Sequence, residues 1–411
     1  MTWVLDGKTV RRILVTRLRY LGDVVMSTVV LTALKQGDPA VELGFLCESA
    51  AAPVLADHPL LDRLHVLAAG RRGRDAPARS SHGADSSAGI GAMATVRELR
   101  STGYDLAVDL FFNPRSAVLL RAAGIPARIG GARSWRRALY THTVKSREDV
   151  LLAEAWEQTA PGGLGDHLCR LGPLRHEETG LEFGPWLTRQ FAATGVLPQL
   201  GPRTTGEMAR QALAGVGVDP DSPYLVLAPG ATWSSKAWPS RRWSGLAEEL
   251  AARDGGKMVL LTAPSGKSGP IGPAVAIPPG RGGVLPVLPL KAVLDVIAGA
   301  RAVVSVDGGI MHAAVGLNVP TVGLFGPTEP EIWFPYDRDP RFAVLAHQPP
   351  CHPCHLHECG AFSCLPGLRV SEVTAVLAGL ATGPVGPERH AVLGVHAERV
   401  SHADLRRRDV T

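Results

Sequence analysis

Twice along this chain a short, wholly apolar run ends in a turn of small and polar residues, passes into a helical pattern, and repeats several times in series. That alternation leaves few folds open. Strands that read as continuous hydrophobic runs are buried on both faces, and helix-length segments between them build parallel sheets with right-handed crossovers. The first series begins in residues 11–35, RRILVTRLRYLGDVVMSTVVLTALK, which reads as a strand (ILVT), a turn holding Gly22 and Asp23, and an apolar helix. ELGFLCES (42–49), HVL near His65 and DLAVDLF (105–111) supply further strands. A turn-rich stretch at 197–205 separates this from the second series. There YLVLAPG, KMVLLTAP, RAVVSVD and TVGLFGP read as strands, with SRRWSGLAEELAAR, LKAVLDVIAGA and HAAVGL as helices between them.

At 411 residues the chain suits two domains of about 150 to 200 residues each. The expected class is α/β: an N-terminal Rossmann-like domain over 1–200, a second over 201–385, and parallel sheets facing across a cleft. Residues 71–91, RRGRDAPARSSHGADSSAGIG, break the pattern and are expected to form a mobile surface loop; 386–411 are expected to be a flexible tail. In open α/β sheets ligands bind beyond the carboxyl ends of the strands, so the loops there hold the candidate residues.

Hydrophobic residues make up 45% of the chain, ample for two cores, yet no run of roughly 18 apolar residues occurs. The start, MTWVLDGKTVRR, lacks the apolar segment of a secretory signal, so a cytoplasmic protein is expected. Four of the six cysteines crowd into one segment, which argues against a disulfide framework. The net charge of +5 is modest, but between Leu110 and Arg147 there are eight basic residues and no acid: Arg115, Arg121, Arg128, Arg133, Arg136, Arg137, Lys145 and Arg147. This is either a solvated face or a surface for an anionic partner such as a phosphorylated lipid, membrane headgroups or nucleic acid.

Four constellations bear chemistry. In VSVDGGIMHAAVGL, Gly308 and Gly309 let the chain turn and expose amide N–H groups at a helix start, a ready phosphate site. Asp307 either caps that helix or meets a ligand, and His312 is either structural or supports the turn. In APGATWSSKAWPSRRW, a strand runs into a glycine turn followed by Thr232, Ser234, Ser235 and Lys236, hydroxyls and one cation suited to a diphosphate. In RLRYLGDVVM, Asp23 sits between strand and helix, either as a helix cap or as a base for an acceptor hydroxyl. In CHPCHLHECGAFSC, Cys351, Cys354, Cys359 and Cys364 follow C-x2-C-x4-C-x4-C, open to zinc or to a reduced loop; the spacer is shorter than in two-knuckle zinc sites.

Taken together, RLRYLGDVVMSTVVLTALK, LAPGATWSSKAWPSRRWSGLAEEL and SVDGGIMHAAVGLNVPTVGLFGPTEP resemble, in order and separation, the ADP-heptose-dependent lipopolysaccharide heptosyltransferases, glycosyltransferase family 9, of GT-B fold. The resemblance implies inverting transfer of a heptose from ADP-heptose onto the Kdo-containing lipid A core, with no metal or other cofactor required. It implies Asp23 as general base; Lys236, Thr232, Ser234 and Ser235 on the donor phosphates; Asp307 on the donor sugar; the amides of Gly308 and Gly309 on the diphosphate; and His312 beneath them. Arg17, Arg19, Arg115 and Arg133 are the acceptor-side candidates. A protein at the cytoplasmic face of the inner membrane follows, with no nucleic-acid partner. Gly308 departs from the family pattern, which places Ser or Thr there. Two alternatives stay open: a GT-B transferase using another nucleotide-sugar for a cell-envelope glycan, and a non-catalytic nucleotide- or glycan-binding protein. A Rossmann dehydrogenase is disfavoured because no G-x-G-x-x-G follows the first strand.

Overall fold

The computed structural model describes residues 2–69, 90–131, 135–144, 171, 173–177, 197–254, 256–262, 275–334, 336, 339–380 and 392–393. Thus 71–89 of the expected loop, Arg133, Lys145, Arg147 and all but 392–393 of the expected tail lie outside the described residues. The chain divides into two compact units, Met1–Pro202 and Arg203–Thr411.

The first unit opens on a hairpin, β1 (Trp3–Leu5) and β2 (Lys8–Val10), paired antiparallel. Its two-residue turn is Asp6-Gly7, both with positive φ (50° and 72°), the conformation that matches the twist of a tight hairpin and that Asp-Gly favours. A short strand β9 (Arg175–His176) adds to the other edge of β1. The main sheet follows: β3 (Arg12–Thr16), β4 (Glu42–Glu48), β5 (Arg63–Leu67), β6 (Leu106–Asp109), β7 (Ala127–Gly131) and β8 (His142–Val144), all parallel, in spatial order β5-β4-β3-β6-β7-β8. Helix α1 (Leu21–Gly37) joins β3 to β4 and is buried along most of its length, which explains a sequence apolar on every face. The other described helices here are α2 (Ala52–Leu55), α3 (Ala92–Thr102) and α4 (Pro114–Ala122).

The second unit has the strands β10 (Tyr224–Ala228), β11 (Lys257–Leu260), β12 (Gly282–Val284), β13 (Ala302–Val306), β14 (Thr321–Phe325), β15 (Phe342–His347) and β16 (Val392–Leu393). They form one parallel sheet in the order β12-β11-β10-β13-β14-β15-β16. Helices α5 (Glu207–Gly215), α6 (Ser240–Asp254), α7 (Leu290–Ala298), α8 (Gly309–Gly316), α9 (Pro330–Trp333), α10 (Cys364–Gly367) and α11 (Val370–Leu380) accompany it. Two hydrophobic clusters flank the sheet, one built on Trp238, Trp243, Leu246 and Val373, the other on Ala209, Leu213, Val296 and Ile297. Trp238 and Trp243 are wholly buried and meet edge to face with centroids 5.1 Å apart, which closes the loop before α6 onto the core.

In both sheets the first strand of the parallel series lies between the second and the fourth, so the order reverses at β3/β6 and at β10/β13. Ligands of such sheets bind beside that reversal, at the carboxyl ends of the strands.

Candidate active site

The reversal in the second sheet brings together two residues far apart in sequence. β10 ends at Ala228 and runs through a turn to a 3-10 segment, Ser234–Lys236; its neighbour β13 ends at Val306, followed by Asp307. Lys236 Nζ lies 2.5 Å from Asp307 Oδ2, with side-chain exposures of 13% and 5%. Thr328, in the turn after β14 and also buried, donates from Oγ1 to the same Asp307 oxygen at 2.6 Å. Both contacts fall on Oδ2, and among the described residues none is recorded at Oδ1. Taking two charges out of water is costly, so a buried pair of this kind is a poor device for stability alone. It does hold an ammonium and a carboxylate side by side at the strand ends, ready for an anion and a hydroxyl.

Asp307 is therefore not the cap of α8. Gly308 takes the N-cap position with extended φ and ψ (175° and 179°) and has no side chain to offer the helix. The first-turn N–H groups of α8 thus lack a side-chain cap, and the helix starts two residues after Asp307. His312 is buried, with Nδ1 2.8 Å from the Tyr336 hydroxyl and the two rings edge to face, so it anchors α8 from beneath.

The reversal in the first sheet carries Asp23. Because α1 begins at Leu21 with Tyr20 as N-cap, Asp23 occupies the third helical position, not the cap. Its Oδ2 accepts from the Tyr20 N–H at 3.4 Å and forms an ion pair with the Arg17 guanidinium. Here too both contacts use one oxygen. Arg17 in turn donates to the Leu110 carbonyl at 2.7 Å and lies 5.0 Å over the Phe111 ring, which fixes the guanidinium against the loop after β6.

That loop is organised by Asp109, a residue the sequence did not single out. Wholly buried at the end of β6, it accepts from the Tyr140 hydroxyl at 2.6 Å, Ser116 Oγ at 2.7 Å and the N–H groups of Phe111 and Phe112 at 3.0 Å. Burial pushes its carboxyl upward while these donors pull it back. The signal available was position alone, an acid closing an apolar strand beside the reversal.

The family model described as glycosyltransferase family 9 (heptosyltransferase) matches residues 196–362, the span holding Thr232, Ser234, Ser235, Lys236, Asp307, Gly308, Gly309 and His312. Over that span the chain is similar to glycosyltransferase family 9. Lipopolysaccharide heptosyltransferase 1 of Pseudomonas aeruginosa is 29% identical over 350 residues, covering 85% of this chain and 87% of that protein. Lipopolysaccharide heptosyltransferase 1 of Escherichia coli K12 is 26% identical over 327 residues, 78% and 89% of the two chains. Among solved structures, E. coli ADP-heptose LPS heptosyltransferase II aligns with a TM-score of 0.64 at 21% identity over 90% of this chain and 98% of that one. E. coli heptosyltransferase WaaC with ADP-2-deoxy-2-fluoro heptose aligns at 0.56 and 22%, covering 89% and 99%. The fold is GT-B and the protein is a glycosyltransferase of the heptosyltransferase kind.

Not every expected ligand-facing group faces outward. Ser234 Oγ donates to the His357 carbonyl at 3.1 Å and Ser235 Oγ to the Leu356 carbonyl at 2.5 Å, so both hydroxyl protons are spent on the cysteine-rich loop. Thr232 is exposed. Arg115 is held by Glu48 Oε1 and the Ala68 carbonyl, each at 2.6 Å, which ties α4 to the strand ends of β4 and β5. Arg19 lies over the Phe111 and Tyr20 rings, 5.6 and 5.8 Å from their centroids. From the acid-free stretch, Arg128 and Arg136 donate to the Leu139 and Phe112 carbonyls at 2.8 and 2.9 Å, while Arg121 and Arg137 remain exposed.

All four thiols of the cysteine-rich loop lie among the described residues and are free, yet no group of three or more Cys, His, Asp or Glu side chains there is placed to hold a metal ion. Burial above all, with added repulsion from Cys354 and Cys359, pushes the Cys351 and Cys364 thiols upward. Among the described residues no helix is long and apolar enough to cross a membrane.

Proposed function

We propose that this protein moves a heptose from ADP-heptose onto the Kdo-containing inner core of lipopolysaccharide, inverting the anomeric centre, with Asp23 as general base. The observation that carries this is the Lys236–Asp307 pair at the strand reversal of the second sheet, beside the uncapped start of α8. A nucleoside diphosphate needs a cation and backbone N–H donors, and both are present there. Lys236 meets the diphosphate, as do the amides of Gly308 and Gly309. Oδ1 of Asp307 accepts a sugar hydroxyl while Oδ2 keeps its bonds to Lys236 and Thr328. Charge that builds on the leaving ADP is stabilised by Lys236 and the helix start. Asp23, fixed through Oδ2, offers Oδ1 to the proton of the attacking acceptor hydroxyl. The relatives' names, lipopolysaccharide heptosyltransferase 1, and the WaaC structure with an ADP-heptose analogue support the choice of donor and acceptor. The exposed Arg121 and Arg137 suit a phosphorylated or carboxylated acceptor at the cytoplasmic membrane face.

One observation favours a second reading. Gly308 lacks the hydroxyl that the family pattern places beside Asp307, which suits a different sugar on the same nucleotide. Mass spectrometry of products from a panel of ADP-, UDP- and GDP-sugars separates the two. Turnover with ADP-heptose supports the first reading; turnover with another donor and none with ADP-heptose defeats it.

A further inference from the structure

We propose that the cysteine-rich loop is the positioning element of the Lys236–Asp307 centre, acting on Lys236 through His357 and Trp233. The inference rests on the donor-site reading above and goes beyond it, since it gives a function to a segment outside the phosphate- and sugar-binding residues.

The loop grips the two turns that flank the end of β13. On one side it holds the turn after β10: the Ser235 N–H donates to the His357 carbonyl at 3.2 Å, joining the two serine hydroxyl bonds already described. On the other it holds the turn after β14: the Cys354 and His355 N–H groups both donate to the Pro327 carbonyl at 3.1 Å. His352 Nδ1 lies 3.0 Å from the Gly326 carbonyl and His355 Nε2 2.9 Å from Glu329 Oε1. Because β13 lies between β10 and β14, the loop straps together the turns that carry Lys236 and Thr328, the two partners of Asp307. The turns themselves touch: a Cβ on Gly326 would come 2.9 Å from the Ser235 carbonyl oxygen, so the close approach requires glycine.

Within this strap one stack addresses Lys236. The Trp233 and His357 rings lie parallel, centroids 4.0 Å apart and 23° between planes. Lys236 Nζ sits 4.3 Å from the Trp233 centroid. The indole thus packs against both the His357 ring and the Lys236 ammonium. Its contribution is to hold the ammonium by a cation–π contact. The Lys236 N–H donating to the Trp233 carbonyl at 3.1 Å closes the segment on itself.

The test uses the full chain with Trp233→Leu, Trp233→Phe and His357→Ala, reading ADP affinity by calorimetry, and kcat and KM with ADP-heptose. His357 is exposed, so His357→Ala should melt with the wild type and report position rather than folding. Expected are about fivefold or greater losses in ADP affinity and matching rises in KM for Trp233→Leu and His357→Ala, with Trp233→Phe restoring most of the loss. In a Lys236→Ala background His357→Ala should add nothing, because the effect runs through the ammonium. Wild-type affinity and KM in both His357→Ala and Trp233→Leu overturn the positioning role while leaving the donor reading intact. A wild-type protein that binds no ADP overturns both.

Discussion

Lys236 and Asp307 meet at 2.5 Å through the one Asp307 oxygen that Thr328 also bonds, at the ends of neighbouring parallel strands. The buried carboxylate is thereby fixed in direction as well as in charge. Lys236→Ala removes the cation offered to the diphosphate and leaves a buried acid uncompensated. ADP affinity measured by calorimetry well below the melting temperature should fall about tenfold or more. Unchanged affinity would deny Lys236 its phosphate role.

Thr328→Val tests the other bond to Asp307. The shapes match closely, so the change removes a charge-assisted hydrogen bond worth roughly 1.5–3 kcal/mol with little change in packing. Since Asp307 is assigned to the sugar, transfer from ADP-heptose should slow by about tenfold while affinity for ADP alone shifts by less than about threefold. Equal losses in both would place Asp307 on the phosphates.

At Gly308 the nearest atom to an added Cβ is the Val306 carbonyl oxygen at 3.9 Å, and the extended φ of 175° suits any residue. Gly308→Ser should fold with a melting temperature within a few degrees of the wild type and retain transfer from ADP-heptose. Loss of the fold would show that the glycine is a steric requirement.

His58 gives the first unit an acid-sensitive point. It is buried, its Nδ1 accepts from the Leu60 N–H at 3.2 Å, and burial pushes its pKa from 6.5 down to about 4. The unfolded chain binds the proton first, so stability is full above pH 6.5 and is lost as pH falls toward 4, by up to about 3 kcal/mol. His58→Gln, which cannot titrate, should flatten that part of a urea-denaturation series between those pH values. An unchanged slope would remove His58 as its cause.

The strands were readable because burial on both faces turns them into unbroken apolar runs, as in YLVLA and AVVSV. The hairpin at Asp6-Gly7 was missed although Asp-Gly is its sequence signature; its strands are too short to show an alternation. Lys236 and Asp307 were each legible from their turns, but their pairing depends on β10 and β13 being neighbours, which is a property of strand order. Thr328 reads as an ordinary residue of a Gly-Pro turn until the sheet sets it against Asp307. Composition showed the hydroxyls of Ser234 and Ser235 and the four thiols, but not their direction. The hydroxyls bond the cysteine-rich loop, and the thiols are free.

Asp23→Asn tests the central claim most directly. Asn keeps an oxygen for the Tyr20 N–H and the Arg17 guanidinium but cannot take a proton, so the fold should be retained with a loss below the roughly 3–5 kcal/mol of removing one partner of a buried ion pair outright. Single-turnover transfer from ADP-heptose to a Kdo-containing lipid A acceptor should slow by about 10²–10⁴, with ADP affinity unchanged. Transfer at the wild-type rate by the Asp23→Asn protein would contradict the assignment of Asp23 as the base.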